Sequence, residues 1–384
     1  MGLLFEVKRK KHMKIIFNLS GNLGGGGLQV AISFINECKN NNLNEYHVFI
    51  GSNVIEQIDV NDFPNNFQFY HIPSLKKYKI NSYLRKIEAV ISPNIVFSIF
   101  GPSYFRPKSL HLVGFAQGYY IYPESPFWKT ISFKDKIVIW TKKKIHLFCL
   151  RNEADAFVCE TFDATERLKK IFGTKKKYFT VSNTYNSYFT NPNLDYEFNL
   201  PNKEDIEFRF VLISKFYLHK NIQIIPKILD ILFTKQIRNI KFVVTIEEDE
   251  YNNLFGSKYI NNVINVGPIP IHQCPSLYSK CDALFFPSTI ECFSASYPEA
   301  MIMKKPIITS DLGFARSICG NAALYFDPTN INDIIAKILE LIDNKPLQSE
   351  LIENAIKRVK DFPSAFDRAN EYLSICAELI NDKH

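Results

Sequence analysis

Closely paired cysteines are missing from this sequence. Its eight cysteines stand singly at positions 38, 149, 159, 274, 281, 292, 319 and 376, with no Cys-x-x-Cys among them. Zinc ligation in ribbons and fingers needs such pairs, and a disulfide framework belongs to much shorter secreted chains. Reduced, mostly packed thiols of a cytoplasmic protein are the plain reading. Also missing is any apolar run of the 18 or more residues that a membrane span requires. The start, Met1 to Lys14, is basic but has no apolar stretch of the signal-peptide kind. The pair His12-Met13 just before the first strand reads as a junction, with Met13 as the natural start. Neither Gly-x-Gly-x-x-Gly nor a glycine loop ending Gly-Lys-Ser/Thr follows the first strand, which argues against a dinucleotide dehydrogenase and a phosphate-loop ATPase.

What is present is a folded chain. With 46% hydrophobic and 22% charged residues it has the composition of a globular protein, and 384 residues suit two or three domains. The formal net charge of +7 favours anionic partners such as nucleotide phosphates or a lipid surface. Basic residues are spread through both halves without a recognised nucleic-acid module, so a nucleic-acid partner is not expected.

Strands and helices alternate along the chain. Short apolar runs at Lys14–Leu19, Tyr46–Ile50, Asn94–Phe100, His111–Ala116, Ala156–Cys159 and Lys177–Val181 read as strands, with helices at Leu28–Asn41 and Thr161–Phe172. Periodicity is lost over Ser182–Asp205, which collects Asn, Pro and Tyr and reads as a linker. A second alternation follows, with strands at Phe208–Ile213, Lys241–Thr245, Val263–Val266, Ala283–Pro287, Pro306–Thr309 and Ala323–Phe326. Helices are read at Ile222–Phe233, Ile331–Leu341, Leu347–Lys360 and Ser364–Asn381. Strand–helix alternation implies βαβ units and parallel sheets. The expected architecture is therefore α/β, with two doubly wound Rossmann-like domains facing a central cleft. Residues 1–190 form the first and 205–363 the second, with the closing helix 364–384 packing back on the first.

Three segments could carry chemistry. Gly21-Asn22-Leu23-Gly24-Gly25-Gly26-Gly27 lies between a strand and a helix, where glycines allow close backbone approach and the helix start offers N–H groups to an anion. A merely flexible turn is the alternative. Ser214-Lys215-Phe216-Tyr217-Leu218-His219-Lys220-Asn221 follows a strand, and its two lysines could reach one pyrophosphate and stabilise a phosphate leaving group. Solvated surface lysines are the other reading. The run from Phe285 to Met301 passes from strand through loop into helix, placing Glu291 on the loop and Glu299 in the helix. Ser294, Ala295 and Ser296 would open that helix, so that its amides meet phosphate oxygens. Glu299 could then accept two ribose hydroxyls while Glu291 faces a sugar ring. A capped helix start with surface acids would look the same.

Taken together, these segments resemble family 4 of the retaining glycosyltransferases, which have the two-domain GT-B fold. Glu291 and Glu299 match that family's Glu-x7-Glu signature, and Glu299-Ala300-Met301 with Pro306–Ser310 match the text that follows it. Lys215 and Lys220 look like the family's pair that binds the donor diphosphate. Gly24–Gly27 with Leu28-Gln29-Val30 look like its amino-terminal glycine loop, and Asn183 like the asparagine before its linker. The resemblance covers most of the chain and is specific in the second half. It implies a hexose moved from a UDP- or GDP-linked donor to a glycan or lipid-linked acceptor, in building a bacterial surface polysaccharide such as O-antigen or lipopolysaccharide. In that scheme Glu291, Lys220 and Lys215 are catalytic, while Glu299, Phe293, Ser294, Ala295, Ser296, Gly25, Gly26 and Gly27 hold the donor. No Asp-x-Asp stands after a strand, so the resemblance implies neither a metal nor another cofactor. Family members often carry a histidine near the reacting sugar in the first domain. Here the strand His111–Ala116 leads into Gln117-Gly118-Tyr119-Tyr120 without one, leaving Gln117 or a backbone group to orient the sugar.

Two further stretches concern the acceptor. Tyr119 to Trp128 is rich in aromatics, which stack on sugar rings, and Gln117, Tyr119 and Tyr120 are the acceptor-side candidates; packing against the sheet is the equal alternative. Residues 133–151 mix six cations with Ile137, Ile139, Trp140, Ile145, Leu147 and Phe148, as a helix lying on anionic headgroups would. That stretch would place the protein in the cytoplasm or against the inner face of its membrane. An ordinary helix with snorkelling lysines is the other reading. The competing functions are another enzyme of the same two-domain type, related to sucrose synthase or a nucleotide-sugar epimerase, and a non-catalytic glycan-binding homologue.

Overall fold

A computed structural model of the chain describes residues 12–21 and 24–383. The basic start before His12, Asn22 and Leu23 of the glycine segment, and His384 lie outside the described residues.

Two parallel sheets carry the fold. The first holds β1 (Lys14–Leu19), β2 (Glu45–Ile50), β3 (Phe67–His71), β4 (Ile95–Ser98), β5 (Leu110–Phe115), β6 (Ala156–Cys159) and β7 (Lys177–Thr180), in the order β3-β2-β1-β4-β5-β6-β7. The second holds β8 (Phe208–Leu212), β9 (Ile240–Val244), β10 (Val263–Asn265), β11 (Ala283–Phe286), β12 (Ile307–Ser310) and β13 (Leu324–Phe326), in the order β10-β9-β8-β11-β12-β13. Central strands such as β4, β8 and β11 are buried on both faces, which is why they read as unbroken apolar runs rather than alternating ones. The expected pair of Rossmann-like α/β domains is therefore present.

Strand order reverses between β1 and β4 in the first sheet and between β8 and β11 in the second. At such a switch point neighbouring loops diverge to opposite faces and leave a crevice beyond the strand carboxyl ends, where ligands bind. The glycine segment follows β1, the Lys215–Lys220 loop follows β8, and the Glu291 loop follows β11. Chain order alone thus brings the three segments to the two crevices.

Some boundaries differ from the sequence reading. β3 and the helix Lys77–Ile91 were not anticipated; the strand alternates only weakly, and most of the helix is solvent-facing. Gly25–Gly27 belong to the first turn of the helix Gly25–Glu37 rather than to a loop, with Gly24 extended before them. Pro226 fits because Ile222–Ile224 form a 3-10 turn and the α-helix begins at Ile225, which puts the proline in the first turn, where its missing N–H costs nothing.

The last helix, Ala365–Asn381, packs on Gly25–Glu37 of the first domain. Tyr372 meets Phe34 edge-on at 5.4 Å and Phe97 at 5.2 Å. Its Ala369, Leu373, Cys376 and Leu379 join the apolar core around β1, β2 and β4. Arg368 of the same helix is almost fully buried, donating to Ser33 Oγ at 2.9 Å and to Asn183 Oδ1. Asn183, singled out at the start of the linker, is in this way joined to the returning helix.

Candidate active site

Glu291 and Lys220 meet at the centre of the second crevice. Lys220 Nζ lies 2.6 Å from Glu291 Oε1, with side chains only 14% and 11% exposed. Ser288 Oγ adds a contact of 2.8 Å to the same oxygen. The two loops are clipped together by backbone: the carbonyl of His219 accepts from Thr289 N at 2.8 Å and from Thr289 Oγ1 at 3.1 Å. Asn221, left-handed at φ 56°, turns the chain sharply after Lys220. The lysine extends over the Phe286 ring, 4.8 Å from its centroid. Lys215, at the head of the same loop, is exposed and forms no ion pair among the described residues.

Glu299 sits within the short helix Ser296–Ile302 and is buried. Tyr278 donates its hydroxyl to Glu299 Oε2 at 3.3 Å. Burial pushes the Glu299 carboxyl up to about 7, against the opposing pull of Tyr278 and Lys220. A carboxyl that titrates there, with one weak donor among the described residues, can take further hydroxyl donors when ionised. Phe293, Ser294 and Ser296 are buried and Ala295 half-buried at the entrance of that helix, directly after the Glu291 loop in the chain.

The first domain closes against these loops. A side-chain carbon added at Gly25, whose φ is +52°, would come within 3.4 Å of the Tyr217 hydroxyl. One added at Gly118 would lie 3.6 Å from the backbone of Glu291. Ser125 Oγ donates to the carbonyl of Thr289 at 2.6 Å. Tyr119 reaches His219, its hydroxyl 2.5 Å from Nδ1. The strand carboxyl ends of both sheets therefore face one cleft, with Gly25, Gly118 and Tyr119 on one wall and Tyr217, His219, Lys220 and Glu291 on the other.

With this geometry in place, the comparisons with known proteins are specific. Residues 197–358 match the family described as "Glycosyl transferases group 1". The chain carries a group 1 glycosyltransferase domain. It is an enzyme of the transferase class. An uncharacterised glycosyltransferase of Methanocaldococcus jannaschii is 25% identical over 350 residues, which are 83% of this chain and 86% of that one. The O-antigen chain mannosyltransferase RfbU of Salmonella typhimurium is 32% identical over 106 residues, 28% of this chain and 25% of its own. Among solved structures, sucrose-phosphate synthase from Thermosynechococcus elongatus has a TM-score of 0.71 at 14% identity, covering 97% of this chain and 100% of its own. WaaG, a glycosyltransferase involved in lipopolysaccharide biosynthesis, has 0.69 at 13%, covering 95% and 99%. HepE of Anabaena, in complex with UDP and glucose, has 0.67 at 12%, covering 96% and 100%. At these identities the structures share the GT-B fold with this chain.

Not every predicted residue of the glycosyltransferase reaches the cleft. Tyr120 does not: it is 2% exposed, with its hydroxyl 2.9 Å from His146 Nδ1 inside the first domain. Ile121, Tyr122 and Phe127 are buried with it, so the aromatic stretch is mainly core. Tyr119, packed on Phe127 and Trp128, reaches the other domain through His219. Gln117 precedes the helical turn Gly118–Ile121 and is half-buried at the cleft edge. Sequence reasoning quoted His219 and Tyr217 without giving them a task, and missed Ser288 and Tyr278. Glu160 was missed as well. This buried acid directly after β6 is pushed up to about 7 by burial, with Arg368 and a hydrogen bond from Asn183 opposing and nearby Glu291 adding to the rise. Only its place at a strand's carboxyl end could have pointed to it.

The basic, aromatic stretch is one helix, Phe133–Glu153. It buries His146, Leu150 and Glu153 and leaves Phe133, Val138, Trp140 and Phe148 exposed, at 77% for Phe133 and 71% for Phe148. No helix among the described residues is long and apolar enough to cross a membrane.

Proposed function

We propose that this enzyme transfers a hexose, with retention of configuration, from a UDP- or GDP-linked donor to a glycan or lipid-linked acceptor in surface-polysaccharide assembly. The reading places it in family 4. The observation that carries it is the Glu291–Lys220 pair at the switch point of the second sheet, eight residues before the buried Glu299 and facing the first domain. UDP and glucose in the HepE complex and the mannosyltransferase activity in the name of RfbU support a nucleotide-sugar donor and an O-antigen-type product.

In this reading residues 205–363 hold the donor. Lys220, with Lys215 on the same loop, and the amides of Phe293, Ser294, Ala295 and Ser296 neutralise the diphosphate as it leaves, so positive charge and oriented N–H groups stand where negative charge develops. No metal is required for that neutralisation. Glu299 accepts ribose hydroxyls and Glu291 a hydroxyl of the donor sugar. The amides of Gly25, Gly26 and Gly27 approach from the opposite wall. The acceptor hydroxyl, entering from the first domain (residues 1–190 with 364–384) beside Gln117 and Tyr119, attacks the anomeric carbon on the face from which the nucleoside diphosphate departs. The leaving phosphate oxygen takes its proton.

The exposed face of Phe133–Glu153 favours contact with an anionic membrane surface. Lys134, Lys136, Lys142, Lys143 and Lys144 stand on the same helix as the exposed Phe133, Val138, Trp140 and Phe148. A lipid-linked acceptor would be met there, at the inner face of the cytoplasmic membrane.

Calorimetry with UDP, GDP and ADP tests the donor half. Binding of UDP or GDP, lost in Lys220→Ala, is expected; a chain that binds none of the three is not a nucleotide-sugar enzyme.

A further inference from the structure

The donor reading leaves unused His219, whose side chain lies between both walls of the cleft. His219 has Nδ1 2.5 Å from the Tyr119 hydroxyl and Nε2 3.8 Å from Glu291 Oε1. Its ring stands between two tyrosines, and its backbone carbonyl is tied to the Glu291 loop. Thr289 holds its carbonyl twice, Tyr217 stacks on it with centroids 5.5 Å apart and planes at 17°, and Tyr119 meets it edge-on at 5.4 Å.

Burial pulls the His219 imidazole down to about 4; Lys220 adds to the fall and Glu291 opposes it. The ring is therefore neutral at physiological pH and carries a single N–H. Which nitrogen carries it follows from the neighbours. A bare lone pair on Nε2 would face a carboxylate oxygen, like against like, so the proton belongs on Nε2. Nδ1 is then an acceptor, and its donor is the phenol of Tyr119, whose own pKa is raised by burial and by Glu291, so it keeps its proton.

We propose that His219 is a positioning residue for Glu291 and that Tyr119, reaching from the other domain, selects its tautomer. The donor-side acid is then complete only when the two domains meet. Ser125 and Thr161 also cross the cleft, but both end on backbone carbonyls, of Thr289 and Cys292, and orient no side chain. The inference rests on Glu291 serving the donor sugar as proposed above.

The decisive measurement needs no substrate. In protein labelled with 15N-histidine, long-range 1H–15N spectra distinguish the two tautomers, and His219→Gln identifies the His219 signal among the eight histidines. The wild type should show the Nε2–H tautomer, and Tyr119→Phe a mixture. With UDP-glucose and GDP-mannose as probes and nucleotide release as readout, Tyr119→Phe and His219→Ala should each lower kcat about tenfold while UDP or GDP affinity stays within about twofold. Gln at 219 can set an amide N–H where Nε2–H stood and should restore much of the loss. The double variant should fall no further than His219→Ala alone, because the two residues act as one unit. A proton on Nδ1 in the wild type, or losses that multiply in the double variant, would overturn the proposal. Failure of UDP and GDP to bind the wild type would instead remove the donor reading beneath it.

Discussion

Glu299→Gln offers a prediction whose size follows from the structure. The carboxyl is buried with a pKa raised to about 7 by desolvation, and Tyr278 is its one hydrogen-bond donor among the described residues, at 3.3 Å. In the unfolded chain a glutamate titrates near 4.3. The folded protein therefore binds the extra proton between these values, and the stability this gives is present at low pH and lost as pH rises through about 7. Nucleotide binding should run the other way, since only the carboxylate accepts two ribose hydroxyls. The ionised fraction is about one tenth at pH 6 and about nine tenths at pH 8, so the apparent Kd for UDP or GDP should fall about tenfold across that range. In Glu299→Gln the amide accepts at one atom only. Losing a charge-assisted hydrogen bond worth about 1.5–3 kcal/mol should weaken binding at pH 8 by at least about tenfold. Calorimetry from pH 6 to 8.5 measures both, and the variant subtracts the titration of the nucleotide's own phosphates. Equal pH slopes in wild type and variant would refute the assignment of Glu299 to the ribose.

Other perturbations test separate parts. Lys220→Ala leaves Glu291 without its cation in a nearly buried site, which should cost about 3 kcal/mol in urea unfolding and abolish nucleotide binding. Unchanged stability would show that the pair is not closed in solution. Gly25→Val places a β-branched residue at φ +52° facing Tyr217, and should lower stability by about 1–2 kcal/mol together with nucleotide release from the donor probes. His111, fully buried between Ser98 and the carbonyl of Glu153, is pulled down to about 4 by burial. Its contribution is whole above pH 6.5 and lost as pH falls towards 4, about 3 kcal/mol in all, opposite in sign to Glu299. His111→Asn should flatten that acid limb of the urea-midpoint profile. Vesicles with anionic lipid should retain the protein more than neutral ones, in a salt-sensitive way, and Phe133→Ser with Phe148→Ser should release it; equal retention on neutral vesicles would remove the headgroup role of the cations.

Much of the fold could be read in advance because its signals are local. Buried parallel strands such as Ile95–Ser98 and Ala283–Phe286 are short apolar runs beside turn residues, and two series of them specify two sheets. What escaped was half-exposed: Phe67–His71 at the sheet edge has no clean apolar pattern. At the site, Glu291, Glu299 and Lys220 stood out because they sit at fixed offsets behind strands. Their partners did not, for contacts such as Tyr278 with Glu299 and Tyr119 with His219 join residues 21 and 100 positions apart. The aromatic stretch misled in part, because side-chain type does not tell whether Tyr120 faces the cleft or, as here, His146 within the core.

The central claim is that the diphosphate lies between Lys220 and the start of the helix Ser296–Ile302. A crystal structure of the protein soaked with UDP or GDP measures it directly. Phosphate oxygens within hydrogen-bonding reach of Lys220 and the amides of residues 293–296, with the ribose on Glu299, are the predicted result. A nucleotide bound elsewhere, with the Glu291–Lys220 pair untouched, would contradict the account.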